Sequence, residues 1–330
     1  MRCTRREAFG SIALGLTGGL LLPAGFRAFA QGALPAQPIR FIVPFSAGGT
    51  ADVLARAIGA KLQTNYGLTV IVENRPGAAG NIGADVVAKA RPDGSMIVLG
   101  TIGIHAAYSL YRKLSYDPAK DLRPIVVLGE VPCVLVVHPS RPFNDLDQFL
   151  AYAKQNPGKL TYGSAGVGSA THLVGELFQQ ASGVKLAHIP YRGSSMAMND
   201  LMAGQIDLMF ELVTTAAPII KAGNIRALGV TSRARSEVLP DVATISELAI
   251  PGFDATGWFT VATSSSVPDA IVGTLNRDIN EILRSSDLQD MWNSLALAII
   301  GGSPEQASEF FGTEREKWAK VIATANIHIE

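Results

Sequence analysis

Two short loops carry the residue types best suited to binding an anion. The first is Phe45-Ser46-Ala47-Gly48-Gly49-Thr50-Ala51, and the second is Gly163-Ser164-Ala165-Gly166-Val167-Gly168-Ser169-Ala170. Both contain Ser-Ala-Gly, a further glycine, a hydroxyl residue and then alanine, between a strand-like run and a helical pattern. Glycines let several backbone N–H groups converge, and a helix start adds about half a positive charge. We therefore predict that the loops face each other and bind both ends of a small dianion.

Neither loop matches a nucleotide-binding or nucleophile motif. Neither is a P-loop, and neither completes G-x-G-x-x-G with an acidic residue about 20 positions later. Ser164 does not lie in a G-x-S-x-G turn, because Tyr162 stands where the first glycine would be. The sequence therefore favours binding over catalysis at these loops.

Two further pairs of residues leave alternatives open. His172 and Glu176 lie four apart on a predicted helix and could share a metal ion, but two ligands do not make a site. Asp207 and Glu211 lie four apart, on and just after a predicted strand, so on a strand they would face the same side and could be paired catalytic carboxylates. The simpler interpretation of Asp207 is a strand-end aspartate that accepts hydrogen bonds from neighbouring N–H groups. No cofactor or metal is predicted.

The elements that must position the loops follow a βα alternation from Ile39 onward, which predicts an α/β fold with a mainly parallel sheet. Strands are predicted at Ile39–Phe45, Val70–Glu73, Met96–Thr101, Ile125–Val131, Cys133–Val137, Leu160–Gly163, Leu186–Ile189, Ile206–Phe210, Ile225–Val230 and Phe253–Ala262. Helices are predicted at Ala51–Tyr66, Ile82–Ala90, Asn144–Gln155, Ala170–Ala181, Ser195–Ala203, Asp269–Arg284, Leu288–Leu297 and Pro304–Ala325.

This order predicts two lobes with a ligand cleft between them. Residues 31–131 and 255–330 form the first lobe, and residues 132–254 form the second. The chain crosses between lobes near Glu130–Cys133, where Pro132 separates two predicted strands, and near Asp254–Ala262. Paired crossings act as a hinge, and clefts between domains are common ligand sites.

The first 30 residues have the pattern of an export signal. Three arginines within the first six residues precede an apolar stretch from Phe9 to Leu22, and Ala28-Phe29-Ala30 offers the small residues that a signal peptidase requires. We predict cleavage after Ala30 and a periplasmic location, with an uncleaved anchor as the alternative. Both the general and the twin-arginine export routes remain open.

Charge excludes another class of function. The 28 basic and 28 acidic residues balance in the whole chain, whereas the chain after Ala30 has 24 basic and 27 acidic residues, a net charge of −3. Nucleic-acid binding requires clustered Lys and Arg, and no such cluster is present. Cys133 is the only cysteine after Ala30, so no internal disulfide can form, and we predict a buried structural thiol.

At the two loops the sequence resembles the Bug-type receptors, the extracytoplasmic solute receptors of tripartite tricarboxylate transporters. The resemblance lies in Pro38-Ile39-Arg40-Phe41-Ile42-Val43-Pro44-Phe45-Ser46-Ala47-Gly48-Gly49 and in Val72-Glu73-Asn74-Arg75-Pro76-Gly77-Ala78-Ala79-Gly80-Asn81-Ile82-Gly83. Further matches are Pro92-Asp93-Gly94, Tyr116-Asp117-Pro118, Gly175-Glu176-Leu177, Pro190-Tyr191-Arg192-Gly193, Gly204-Gln205-Ile206-Asp207 and Pro251-Gly252-Phe253. The match covers essentially the whole chain after the signal.

The resemblance implies a two-lobed periplasmic binding protein of type II-like fold, with hinge strands and a cleft that closes on a carboxylate. It implies that the two loops hold the carboxylate through backbone N–H groups, hydroxyls and water. The site residues that it implies are Phe45, Ser46, Ala47, Gly48 and Thr50 from the first lobe, Ser164, Ala165, Gly166, Ser169, Thr171 and His172 from the second, and Asp207 at the border of the pocket.

The function implied is a receptor, not an enzyme, that captures a di-, tri- or aromatic carboxylate for a tripartite tricarboxylate-type transporter. Its expected partners are the carboxylate and the membrane subunits of the transporter, and a monomer is expected. One alternative is a sensor of the same fold that presents its ligand to a signalling kinase. The other is an exported α/β hydrolase, for which no nucleophile–base motif is present.

Overall fold

The structure is a computed structural model and describes residues 37–111 and 113–327. Its strands are β1 (Ile39–Val43), β2 (Val70–Asn74), β3 (Met96–Thr101), β4 (Leu122–Val137), β5 (Thr161–Ser164), β6 (Ala187–Pro190), β7 (Leu208–Leu212), β8 (Arg226–Val230), β9 (Thr256–Ser264) and β10 (Ala298–Gly301). The predicted export signal and its cleavage site lie outside the described residues.

The helices of the described chain alternate with these strands. They are α1 (Thr50–Tyr66), α2 (Asn81–Ala88), α3 (Ile102–His105), α4 (Leu146–Gln155), α5 (Ala170–Ser182), α6 (Ser194–Met202), α7 (Val213–Lys221), α8 (Ile245–Leu248), α9 (Asp269–Leu283), α10 (Gln289–Ser294) and α11 (Pro304–Ala325). Within the described ranges, none is both long and apolar enough to cross a lipid bilayer.

The centre of the fold is the 16-residue strand β4, which joins two groups of strands. Its first half lies between β9 and β10, and its second half lies between β7 and β8. The sequence predicted two strands separated at Pro132, but the structure has one continuous strand. Pro132 is tolerated because it lies where β4 changes partner, from Thr256 of β9 to Leu212 of β7 at the next residue.

The prediction of a mainly parallel sheet is wrong for the middle of the sheet. The outer groups are parallel as predicted, with β1 beside β2 and β3, and β5 beside β6 and β7. Between these groups β4 runs antiparallel to β7, β8, β9 and β10, and β9 is also antiparallel to β3. The chain passes from the first group to the second along β4 and returns along β9, so these two strands must run in opposite directions.

We call β1, β2, β3 and their helices the first half, and β5, β6, β7 and theirs the second half. α9 and α10 pack on the first half through residues such as Leu275 and Trp292. α11 packs near the junction, where the Glu314 carboxylate accepts hydrogen bonds from the indole N–H groups of Trp258 and Trp318 at 2.7 Å each. α11 also contacts α5, since Gln180 donates to the Val321 carbonyl at 2.8 Å. The last helix is therefore anchored to β9 at the junction and to the second half.

The close packing around β3 generates a stability prediction. A Cβ atom at Gly100 would lie 2.2 Å from both His105 Nε2 and Thr260 Oγ1, whereas a Cβ at Gly273 in α9 has no atom within 4 Å. We expect Gly100→Ala to lower the free energy of unfolding by about 1–3 kcal/mol or more because of overpacking. The control Gly273→Ala should raise it by about 0.5–1 kcal/mol, because alanine loses less entropy in a helix. Urea unfolding measures both, and a stable Gly100→Ala protein would contradict this packing.

Candidate functional site

The first loop joins β1 to α1 and leaves donors unused. Gly48 has a φ of 84° and Gly49 is the N-cap of α1, so the backbone turns sharply before the helix. Ser46, Ala47 and Gly48 are exposed, and Phe45 is half-buried. Among the hydrogen bonds of residues 37–111 and 113–327, the N–H groups of Ala47, Gly49, Thr50 and Ala51 find no acceptor. The Thr50 hydroxyl is buried and also unpartnered within that range.

A buried aspartate holds the first loop in place, which sequence reasoning missed. The Asp52 carboxylate accepts hydrogen bonds from the Gly48 N–H at 3.0 Å, from Arg56 Nε at 3.0 Å and from Asn74 Nδ2 at 2.9 Å. Asn74 also donates to the Phe45 carbonyl at 3.1 Å. Burial acts to raise the pKa of Asp52, but the hydrogen bonds from Arg56, Gly48 and Asn74 outweigh it and hold the pKa below its usual value. The carboxylate therefore stays ionised and fixes the loop.

The second loop joins β5 to α5, and its side chains are used to shape it. Ser164 Oγ accepts from the Gly166 N–H at 3.1 Å, and Thr171 Oγ1 accepts from the Ala165 N–H at 2.9 Å. Ser169 is the N-cap of α5 and donates to the Gly166 carbonyl at 2.6 Å. The predicted hydroxyl residues thus lie together, but their oxygen atoms bind the loop itself.

The same bonds determine which donors of the second loop remain available. Gly166, at a φ of 121°, lets the chain turn while its N–H is held by Ser164. In the part of the chain that the structure describes, the N–H groups of Val167, Ala170 and Thr171 have no acceptor. We expect an anion to interact with these groups rather than with the hydroxyls.

The rings of His172, His188 and Tyr162 form a stack beside the second loop. His172 Nδ1 accepts from the Gly168 N–H at 3.1 Å, and the His172 and His188 rings stack at a centroid distance of 4.1 Å. His188 also stacks on Tyr162 at 4.8 Å, and the Tyr162 hydroxyl donates to Glu176. Burial, with His188 nearby, lowers the pKa of His172 to about 3, and burial lowers the pKa of His188 to about 4. Both imidazoles are therefore neutral at physiological pH.

His188 Nε2 lies 2.7 Å from Ser164 Oγ, which is the spacing of a nucleophile and its base. Ser164 has no exposed surface, and a base whose pKa is about 4 is poorly matched to catalysis near neutral pH.

His172 Nε2 and Glu176 Oε1 are 3.8 Å apart, and the structure gathers no group of three metal-ligating side chains in the ranges that it describes.

The two loops belong to different halves, and the halves meet around them. A Cβ atom at Gly193, after β6, would lie 3.9 Å from Ser46 Oγ of the first loop. On the other side, a Cβ atom at Gly168 would lie 3.4 Å from the Ala79 Cβ atom. In the turn at Ala78 and Ala79 both residues have a positive φ, near 48° and 49°. This strained turn of the first half therefore lies against the second loop.

Asp207 does not lie with the other predicted residues. It precedes β7 and is opposite Thr161 at the start of β5, whereas Ser164 is at the end of β5. At about 3.3 Å per residue, this places it roughly 10 Å from the loop. Its carboxylate accepts from the Thr161 N–H at 2.6 Å and is 2.8 Å from Arg141 Nε. It thus has the simpler role considered above, that of a strand-end aspartate, and it is left out of the proposed site.

The sequence matches the model of the tripartite tricarboxylate transporter family receptors over residues 54–327. The chain belongs to this receptor family. The Bug-type resemblance is thereby confirmed, since the solved structure of the periplasmic binding protein BugD is 33% identical, with 90% of this chain and 100% of that chain covered and a TM-score of 0.83.

Two further solved structures that resemble this chain hold ligands. The R. palustris protein Rpa4515 with adipate is 38% identical over 89% of this chain and 99% of its own, with a TM-score of 0.85. MatC of Rhodopseudomonas palustris with bound malate is 30% identical over 88% of this chain and 100% of its own, with a TM-score of 0.81. The predicted two-lobed periplasmic binding fold of the receptor family is confirmed by these likenesses.

The buried imidazoles generate a pH prediction. Unfolded histidines take up a proton near pH 6.5, whereas folded His172 and His188 stay neutral down to about pH 3 and 4. The unfolded receptor therefore binds more protons in this window, so its free energy of unfolding falls as pH decreases below 6.5. His172→Asn keeps an acceptor for the Gly168 N–H and removes one titrating group, so the fall between pH 7 and 5 should be smaller. Urea unfolding at these pH values measures it, and an unchanged slope would contradict the neutral assignment.

Proposed function

We propose that this family member is a periplasmic receptor that captures a small carboxylate for a tripartite tricarboxylate-type transporter. The observation that carries the proposal is that both loops, which lie where the halves meet, have unused donors. The N–H groups of Ala47, Gly49, Thr50 and Ala51 in the first loop and of Val167, Ala170 and Thr171 in the second have no protein acceptor within residues 37–111 and 113–327, and the buried Thr50 hydroxyl joins them. An anion held between two helix starts would satisfy these donors.

The ligands of related proteins agree with this chemistry. Rpa4515 was solved with adipate and MatC with malate, and both molecules are dicarboxylates. The net charge of −3 after Ala30 does not oppose carboxylate binding, because peptide dipoles rather than Lys or Arg would hold the ligand. The ligand-contacting residues that we propose are Ala47, Gly48, Gly49, Thr50 and Ala51 from the first loop and Val167, Ala170 and Thr171 from the second.

The same geometry supports binding without turnover. Ser164 and His188 have the spacing of a catalytic pair, but the serine is fully buried and its oxygen already accepts the Gly166 N–H. We propose that the protein is not an enzyme, acts as a monomer in the periplasm after cleavage at Ala30, and passes its ligand to the membrane subunits of the transporter.

The first test is ligand-dependent stability. A ligand that binds only the folded receptor at a hundred times its Kd stabilises it by about 2.7 kcal/mol. We expect at least one member of a panel of di-, tri- and aromatic carboxylates to raise the melting temperature by several degrees. Mass spectrometry of the released ligand should show the same compound that was added. Recovery of a converted product would contradict the receptor function, and a panel without any stabilising carboxylate would contradict the ligand class.

The second test distinguishes a loss of ligand binding at the first loop from a general effect of backbone strain. Gly48 and Gly158 both have a positive φ, 84° and 73°, and a Cβ atom at either position has no neighbour within 4 Å. Valine at either position should cost a similar 1–2 kcal/mol or so of stability, because L-residues are strained there. Only Gly48→Val should also lower the affinity for the stabilising carboxylate, by at least about tenfold (~1.4 kcal/mol), when measured by titration calorimetry. Equal affinity in both variants would reject the first loop as the anion site.

A further inference from the structure

The partners of β4 change around Cys133, at the crossing between the halves. Pro132 pairs with Thr256 at the start of β9, whereas Val134 pairs with Val230 at the end of β8. Cys133 lies between these two pairs and has no exposed surface, so its backbone N–H and carbonyl need partners inside the protein.

Thr231, the residue after β8, supplies the backbone partners at this place. Its N–H donates to the Cys133 carbonyl at 2.8 Å, and its own carbonyl accepts from the Ala255 N–H at 2.9 Å. Ala255 directly precedes β9. Thr231 therefore lies between β4 and the residue that leads into β9, the two strands along which the chain passes between the halves.

The Thr231 hydroxyl joins the same two segments a second time. Its Oγ1 atom accepts from the Cys133 N–H at 3.0 Å, and it lies 2.5 Å from the Ala255 carbonyl and 3.0 Å from the Cys133 carbonyl. A hydroxyl has one proton to donate, and the shorter distance assigns it to Ala255. All three residues are 0% exposed, so these bonds are made away from solvent. We call the bonds of Thr231 Oγ1 to Cys133 and Ala255 the Thr231 clamp.

The Thr231 clamp is made in an arrangement in which the halves touch. Gly193 of the second half lies against Ser46 of the first loop. The ladder between β4 and β9 constrains the stretch that ends at Pro132, so a rotation of one half against the other acts beyond that end, beside Cys133. The clamp therefore lies at the point where such a rotation changes the spacing of the two strands.

Loss of the hydroxyl affects the two arrangements of the halves unequally. While the halves touch, the Cys133 N–H and the Ala255 carbonyl would be buried without these partners, which is costly. A rotation that widens the crossing admits water, and hydrogen bonds to water satisfy both groups. The hydroxyl therefore stabilises the arrangement with touching halves more than an open one.

We propose that Thr231 is a positioning residue for ligand capture, and that its hydroxyl favours the arrangement in which the halves touch. The proposal rests on the proposed receptor function, since a molecule that contacts both loops is held only while the halves meet. Thr231 lies at the crossing and not in either loop, so it acts without contacting the ligand. A receptor without the hydroxyl binds less tightly, because a smaller fraction of it is in the competent arrangement.

Two substitutions of Thr231 test the clamp by titration calorimetry. Thr231→Val removes the hydroxyl and keeps the side-chain shape, and we expect it to weaken adipate binding at least about fivefold at an unchanged stoichiometry. Thr231→Ser keeps the hydroxyl and should bind within about twofold of the wild type. Adipate is the first probe because the related Rpa4515 was solved with it. The most stabilising member of the carboxylate panel replaces adipate if adipate does not bind.

Thr263→Val is the matched control for the loss of a buried hydroxyl. Thr263 is also 0% exposed and lies on β9, but its hydroxyl donates to the Met96 carbonyl of β3 at 2.8 Å, away from the crossing. This variant should lose stability towards urea, as Thr231→Val does, yet bind the same carboxylate within about twofold of the wild type. Equal losses of affinity in the two valine variants would overturn the proposal, because stability alone would then explain them.

Stopped-flow tryptophan fluorescence distinguishes altered closure from damage to the two loops. We expect koff to rise at least about fivefold in Thr231→Val while kon changes less than about twofold, because the carboxylate enters an open receptor in both proteins. A loss of affinity that arises from kon alone would contradict the clamp.

The outcomes separate this proposal from the receptor function on which it rests. If no carboxylate of the panel binds the wild-type protein, the proposed function fails, and the role of Thr231 in capture fails with it. If a carboxylate binds and Thr231→Val binds it as tightly as the wild type does, only the clamp is rejected. Should Thr231→Val not fold, Thr231→Ala, which also lacks the hydroxyl, carries the same expectation.

Discussion

The structure depends on the backbone hydrogen bonds of a single strand. β4 pairs with β9 and β10 along its first half and with β7 and β8 along its second, so one continuous stretch of chain belongs to both parts of the sheet. The loops that follow β1 and β5 belong to two parallel groups of strands that this strand holds together. α11 reinforces the junction through the hydrogen bond that Glu314 accepts from Trp258 of β9.

Much of this arrangement could be predicted from the sequence, because the apolar periodicity of βα units is local. The bounds of β3 match the prediction, and those of α1 and α5 match it within a residue. The helix α7 was not predicted, because Pro218 interrupts its pattern, although it lies inside the helix in the structure. The continuity of β4 through Pro132 could not be predicted either, since it depends on a change of partner strands that are distant in sequence.

At the candidate site, too, some features could be predicted from the sequence and others could not. Glycines and hydroxyls at strand ends correctly predicted where the two loops lie. Spacing alone did not show that Ser164, Ser169 and Thr171 bind their own loop, nor that Asp52 and Asn74 hold the other loop in place. The choice between a hydroxyl that binds ligand and one that shapes a turn depends on side-chain orientation. Likewise, Asp207 and Glu211 lie at opposite ends of β7; Asp207 binds Thr161 and lies beside Arg141, whereas the Oε2 atom of Glu211 has no partner among the described residues.

The crossing between halves consists of paired strands rather than flexible linkers. In such a crossing every residue of β4 that pairs with β9 is constrained by its neighbour, so the halves cannot separate by stretching without rupturing ladder hydrogen bonds. Twisting of the paired strands preserves those bonds, and strands tolerate a wide range of twist. Because β4 is also flanked by β10 and β9 also pairs with β3, movement of one half against the other is expected where β4 exchanges β9 for β7, not along the paired stretch.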